Sequence, residues 1–304
     1  MPLPQFADGA VLTGVLGTSS SHAVAVGTTT PASGFAAEPL VEQWNGTGWN
    51  IISLSTGTGS LAAVASDGAG YVAVGSAGSH PLVLTSPTGA HWTSLPTTGL
   101  AASTTLEAVD AVGVDDIYAV GWVTAVTNIV VTAHHTSRGK RHMVTTTVRR
   151  TTRDAVVAQW NGARWHETTL VHAPMGGAAT FTAISGASSS DLIVLGRDTA
   201  PQGSVAVPLV LERTAGSWID DAPQALTHAT LSSVESTPSG AWIAGSTSDG
   251  ISHTALILAS GTPDGSPVDV IATILLWLMA SAILLALVVV LLILLVHRLH
   301  SSPR

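Results

Sequence analysis

The sequence has no cysteine, which excludes disulfide frameworks, thiolate zinc sites, iron–sulfur clusters and cysteine nucleophiles together. Charge is scarce: Asp, Glu, Lys and Arg are 10% of the residues, against about 25% in an ordinary soluble chain. Beside nine tryptophans there are only two tyrosines and three phenylalanines. The opening stretch MPLPQFADGAVLTG carries neither the basic region nor the apolar run of a signal peptide. What the chain does have is apolar side chain, 46% of its 304 residues with a mean hydropathy of +0.43. That is enough to offset the entropy of ordering, so the chain as a whole is not intrinsically disordered.

The few basic residues are concentrated. Six of the eleven (Arg138, Lys140, Arg141, Arg149, Arg150 and Arg153) fall within residues 132–153, with no acid among them. Without that segment the formal net charge would fall from −8 to −14. A body that acidic repels phosphate, so nucleic acid is not an expected partner, whereas the basic segment suits an anionic surface.

Residues 270–296 run for 27 positions without a charge. About 20 apolar residues cross the hydrocarbon core as a helix, so this segment reads as one transmembrane α-helix in contact with the lipid bilayer, with Trp277 placed for an interfacial anchor. Asp264 and Asp269 precede it, and His297, Arg298, His300 and Arg304 follow in the tail 297–304. By the positive-inside rule the tail is cytoplasmic and the body outside, joined through a linker at 263–269. The missing signal peptide opposes that orientation. Two topologies stay open: a chain whose true start lies upstream, or a tail-anchored protein with a cytoplasmic body.

The body repeats. A short strand ending in glycine recurs as HAVAVG to Gly27, YVAVG to Gly75, IYAVG to Gly121, LIVLG to Gly196 and WIAG to Gly245, with glycine spacings of 48, 46, 75 and 49. Before each lies a pair of apolar residues three apart: Leu12 and Val15, Leu61 and Val64, Leu106 and Val109, Phe181 and Ile184, Leu231 and Val234. After each comes a third apolar run, and in four units a turn into Trp49, Trp92, Trp165 or Trp218. Asn-Gly between apolar runs, as before Trp49 and Trp165, is a strong hairpin signal. Four short strands at a period near 50 are the pattern of β-propeller blades. The expected units lie near 11–54, 61–94, 106–170, 181–222 and 231–262. The last stops after its third strand, and the stretch PLPQF at 2–6 is expected to complete it.

These units resemble kelch-like and Asp-box propeller repeats at the level of architecture. The stretch SPTGAHW, Ser86 to Trp92, is similar to an Asp box but has Thr88 in place of the aspartate, and the kelch double glycine is absent. The resemblance implies a ring of four-stranded sheets with a loop-built binding surface, and no single activity.

Unit three holds about 27 extra residues, read as an inserted basic β-hairpin at 127–153. A turn at Arg138 and Gly139 pairs His135 with His142, Ala133 with Val144, Val131 with Thr146 and Ile129 with Val148. The opposite face then holds His134 with Met143, Thr132 with Thr145 and Val130 with Thr147. The six basic residues make this hairpin the expected binding element for an anionic polymer or an acidic protein surface. The plainer reading is an arm whose charges block edge-to-edge pairing. His135 and His142 are a weak candidate for a metal, since two imidazoles without a carboxylate make a poor site.

Catalysis has little to stand on. A sialidase-like glycoside hydrolase needs a tyrosine or carboxylate nucleophile, an acid and arginines to hold an anionic sugar. Tyr71 and Tyr118 sit at apolar repeat positions, and Arg164, Arg197 and Arg213 are scattered. Glu42 and Glu212 occupy near-equivalent third-strand places and are the one conceivable carboxylate pair. Asp115, Asp116 and Asp191 read as turn residues bonding their own backbone. No cofactor is called for.

The expectation is therefore all-β, a propeller of about five four-stranded blades over 1–262 with one C-terminal transmembrane helix. Its role would be non-enzymatic binding or scaffolding at the cell surface. A membrane-tethered carbohydrate-active hydrolase and a self-assembling subunit of a surface layer are the alternatives.

Overall fold

The computed structural model describes residues 9–29, 36–137, 140–173, 177–200, 206–220, 226, 229–237, 240–248 and 252–259, and all its strands fall in antiparallel sheets of one plan. Sheet 1 runs β1 (Ala10–Ser19), β2 (His22–Thr29), β3 (Pro39–Trp44) and β4 (Trp49–Ile52) in sequence order. Sheet 2 repeats this with β5 (Ser60–Ser66), β6 (Tyr71–Ala77), β7 (His80–Ser86) and the two-residue β8 (Thr93–Ser94). Sheet 3 is β9 (Thr104–Gly113), β10 (Asp116–Ser137), β11 (Lys140–Trp160) and β12 (Trp165–Val171). Sheet 4 is β13 (Ala178–Ser188), β14 (Asp191–Thr199), β15 (Val207–Thr214) and β16 (Ser217–Asp220), linked to sheet 3 by one parallel bridge, Arg153 to Ala178. Sheet 5 has three described strands, β17 (Ala229–Thr237), β18 (Gly240–Ser248) and β19 (His253–Ala259). The expected completing stretch at 2–6 lies outside the described residues. So do the linker 263–269, the span 270–296 and the tail 297–304. Among the described residues no helix is long and apolar enough to cross a membrane.

The sheets stack in chain order: β1 and β2 pack on β5, β5 and β6 on β9, β9 and β10 on β13, and β13 and β14 on β17. The second strands of sheets 2, 3 and 4 are therefore covered on both faces, which is why they read as unbroken apolar runs rather than alternating ones. Val24, Val26, Val74, Val120 and Val194 are all fully buried, each side chain contributing about 1.5–3 kcal/mol by leaving water.

The repeated glycine and the apolar pair three apart have one cause. The first strand of each sheet carries a β-bulge opposite the glycine, between Leu12 and Gly14, Leu61 and Ala63, Leu106 and Ala108, Phe181 and Ala183, and Leu231 and Ser233. The bulge adds a residue, so positions three apart, not two, share a face. Phe181 with Ile184 accordingly sits in one apolar cluster, as does Leu106 with Val109. It also swings a carbonyl inward: a Cβ on Gly27, Gly75, Gly121, Gly196 or Gly245 would overlap the backbone oxygen of Val11, Ser60, Thr105, Thr180 or Thr230. The first pair, Leu12 and Val15, stays exposed because no sheet precedes it in the stack.

The Asn-Gly turns are four-residue loops rather than two-residue ones. Strand pairing ends at Trp44 with Trp49 and at Trp160 with Trp165. Asn45 Oδ1 accepts from the Thr47 and Gly48 amides at 3.0 Å each, and Asn161 Oδ1 from Ala163 and Arg164 at 3.1 and 3.0 Å. The tryptophans these loops deliver pack on partners across the turn, Trp44 on Trp49 at 5.8 Å and Trp160 on Trp165 at 5.7 Å between ring centroids.

Candidate functional site

The basic segment is an extension of two blade strands rather than an insertion between them. β10 and β11 pair without a break from Ile117 with Trp160 to Ser137 with Lys140. Their lower halves lie inside sheet 3, where Ile117, Tyr118, Ala119 and Val120 are buried. Pairing with β9 ends at Val123 with Thr104, and with β12 at Ala155 with Val171. Beyond Thr124 and Arg153 the two strands continue as a bare ribbon. The register pairs His135 with His142 and Ile129 with Val148, and places Lys140 opposite Ser137 and Arg141 opposite Thr136. Arg138 lies outside the described residues. Among the described residues no three His, Asp or Glu side chains gather as a metal site.

The ribbon's root is braced. Ser103 Oγ donates to the Thr124 carbonyl at 3.1 Å, and the Thr124 amide to the Ser103 carbonyl at 3.3 Å. Arg153 lies over the Trp122 ring, 4.3 Å from its centroid. That basic residue is thus engaged in holding the root. Asp154, buried there, accepts from the Ala173 amide at 3.1 Å and pairs with exposed His172 at 3.0 Å. Above the root, Arg149 and Arg150 are exposed, with no acid in ion-pair range among the described residues. Toward the tip from them stand exposed Val130 at 64% and Met143 at 70%, and toward the root Val126 at 46%.

The other nominated residues are dispersed. Glu42 and Glu212 belong to sheets 1 and 4, which two sheets separate, and they point to opposite faces of their sheets. Glu42 stands opposite Ala25, beside Leu40 on the rear face, whereas Glu212 stands opposite Ile193 of the forward cluster. A one-residue offset in the third strand flips the side chain, so the two are not equivalent. Glu42 is buried, which pushes its carboxyl above the usual range. Tyr118 is buried and accepts from Arg213 Nη1 at 2.6 Å; burial raises its hydroxyl, with Asp116 adding to the rise. Tyr71 packs on Trp92 and meets the Thr18 hydroxyl at 3.1 Å. Asp116 does not bond its own turn; its Oδ1 accepts from Gln159 Nε2 at 2.7 Å.

Two features escaped the sequence reading. Asp110 of β9 reaches across to sheet 4, its Oδ2 accepting from the Gly186 amide at 2.6 Å, and burial raises its carboxyl. The second is a cleft of about 410 Å³ between sheets 2 and 3, at the end of the blades opposite the ribbon. The turns after β5, β7, β9 and β11 form it, and its lining includes Asp67, Tyr71, Leu95, Val114, Asp115 and Trp160. Nothing in a linear sequence places four turns from two units together.

No protein-family model matches the chain, and no curated protein matches it. Several solved structures are similar in outline. A structure of YCF48 bound to a D1 peptide is 13% identical with a TM-score of 0.38, covering 86% of this chain and 83% of that one. The SapL1 lectin in complex with alpha methyl fucoside is 11% identical with a TM-score of 0.44, covering 84% and 80%. A glycosyl hydrolase from Bacteroides ovatus is 8% identical with a TM-score of 0.39, covering 86% and 85%. Likeness of this degree assigns neither ligand nor reaction to this chain.

Proposed function

We propose that the chain is a non-enzymatic binding or scaffold protein of the cell surface, its stacked sheets forming a propeller of about five blades and residues 270–296 tethering it to the bilayer. The ribbon of β10 and β11 is its docking arm, directed at an anionic polymer or an acidic protein surface. The observation that carries this reading is the exposure of Arg149 and Arg150 on a ribbon that leaves the sheet, with no acid of the chain paired to them among the described residues. A charge placed only to protect a strand edge needs no such reach. With the body strongly acidic, the arm holds five of the chain's eleven basic residues and steers encounter with anions.

The test replaces Arg138, Lys140, Arg141, Arg149 and Arg150 by serine in the full chain in detergent, leaving Arg153 on Trp122. Retention on an anionic matrix should be lost while the melting temperature holds. Unchanged retention overturns the docking role.

A further inference from the structure

Deepening that reading and resting on it, we infer that the arm's partner is a second copy of this chain, whose cleft between sheets 2 and 3 receives the ribbon. The cleft is suited to a basic side chain. Leu95, Val114, Ile117 and Trp160 form an apolar wall, and Asp67 and Asp115 stand at its edge. Asp67 Oδ1 is occupied, accepting from the Ala69 and Gly70 amides at 2.7 and 2.6 Å, and its Oδ2 has no partner among the described residues. No lysine, arginine or histidine among the described residues lies in ion-pair range of either carboxylate. An apolar wall ending in uncompensated carboxylates matches a guest with an aliphatic stem and a cationic head, which is the build of arginine and lysine.

The ribbon offers that pattern. Arg149, opposite Asn128, shares a face with exposed Val130 and Met143, so that face presents a cation together with apolar side chains. It cannot serve its own cleft. β10 begins at Asp116, beside the cleft, and runs 22 residues away to Ser137. At about 3.3 Å per residue the tip stands about 70 Å from the cleft. Even Arg150, opposite Thr127, lies eleven residues along β10 from Asp116. Arm and cleft are different surfaces at opposite ends of the sheets, so the contact is either exchanged reciprocally by two inverted copies about a two-fold axis or repeated head to tail. Elsewhere the described residues carry four scattered arginines, of which Arg153 is held on Trp122 and Arg213 on Tyr118.

The absence of cysteine makes the test unambiguous. Full-length chain in detergent is prepared with Val114→Cys at the cleft and, separately, with Val130→Cys on the ribbon face that carries Arg149; the two are mixed and treated with a short bismaleimide. The expected product is the mixed dimer, far above that from Val114→Cys with Val207→Cys, an exposed control position on β15. Carrying Asp67→Lys with Asp115→Lys on the cleft copy should lower the yield at least about tenfold, since like charges would then meet. Carrying Arg149→Glu with Arg150→Glu on the ribbon copy should do the same. Combining both substituted copies should restore it, which misfolded variants would not do.

A mixed-dimer yield no higher than the control, or one indifferent to the charge reversals, overturns self-docking. If the arm still binds the anionic matrix in that case, the docking role survives with a different partner. If matrix binding is lost as well, both readings fall.

Discussion

Arg213 of β15 donates from Nη1 to the Tyr118 hydroxyl of β10 at 2.6 Å, joining sheets 4 and 3 through a polar contact at the edge of an apolar cluster. The same nitrogen reaches the Ser189 carbonyl at 2.6 Å, and the guanidinium lies 5.5 Å from the Tyr118 ring centroid and 6.0 Å from that of Trp218. Tyr118→Phe keeps the ring and removes the acceptor, so it should cost about 1–2 kcal/mol. Arg213→Met should cost a similar amount by removing the donor to both the Tyr118 hydroxyl and the Ser189 carbonyl. Because the two share one bond, urea unfolding of the double variant should show a loss smaller than the sum by at least about 0.5 kcal/mol. Strict additivity would mean that the contact contributes nothing to holding the sheets together.

Gly121 faces the β9 bulge with the Thr105 carbonyl where a Cβ would be. That obstacle is backbone, which moves only if the bulge is rebuilt. Gly121→Ala should therefore destabilise the chain by about 1–3 kcal/mol or more. Gly17, at the end of β1, has open space around its Cβ position, and Gly17→Ala should be far milder. Comparing the two melting temperatures separates steric blockage from the general cost of removing a glycine.

That contrast marks what the sequence made legible. Gly27, Gly75, Gly121, Gly196 and Gly245 and the apolar pairs before them were visible because each is forced locally, by a bulge that recurs in every unit. The pairing of Ile129 with Val148 and His135 with His142 was legible for a related reason, since a one-residue slip would exchange the faces of the ribbon. Glu42 and Glu212 misled because linear alignment of third strands ignores the single-residue offset that decides the face. Asp110 and the cleft were invisible because they join residues of neighbouring sheets, and only the stacking brings Asp67 beside Asp115.

The ribbon adds little to the core. Above Thr124 and Arg153 it pairs only with itself, and an isolated two-stranded ribbon is marginal in water. Excising residues 126–151 and joining the ends with Asn-Gly should leave the melting temperature within a few degrees of the parent, on the order of 1 kcal/mol or less. Light trypsin treatment of the intact chain should cut first at Arg149 and Arg150, ahead of Arg164, Arg197 and Arg213 in the body. Applied to intact cells, the same cleavage reports which side of the membrane carries the blades: cutting without lysis fits an outside body, and protection until lysis fits a tail-anchored one.

Acid should stabilise this protein over a range where many proteins lose stability. Glu42, Asp110 and Asp198 all have carboxyls raised chiefly by burial, and Asp198 Oδ1 is buried without a partner among the described residues. A carboxyl raised in the folded state takes up its proton there before it does so in the unfolded chain. Between the ordinary carboxylate range and the raised value the folded state holds the extra proton, so stability grows as pH falls through that window and is lost again as pH rises. Thermal melts should accordingly show a higher midpoint near pH 5 than at pH 7. Asp198→Asn removes the buried charge while keeping the shape, so it should raise the midpoint at neutral pH and flatten the pH dependence. A midpoint that falls steadily from pH 7 downward in both proteins would show that these carboxylates are compensated in the folded chain, and that the orphaned Asp198 oxygen carries no cost.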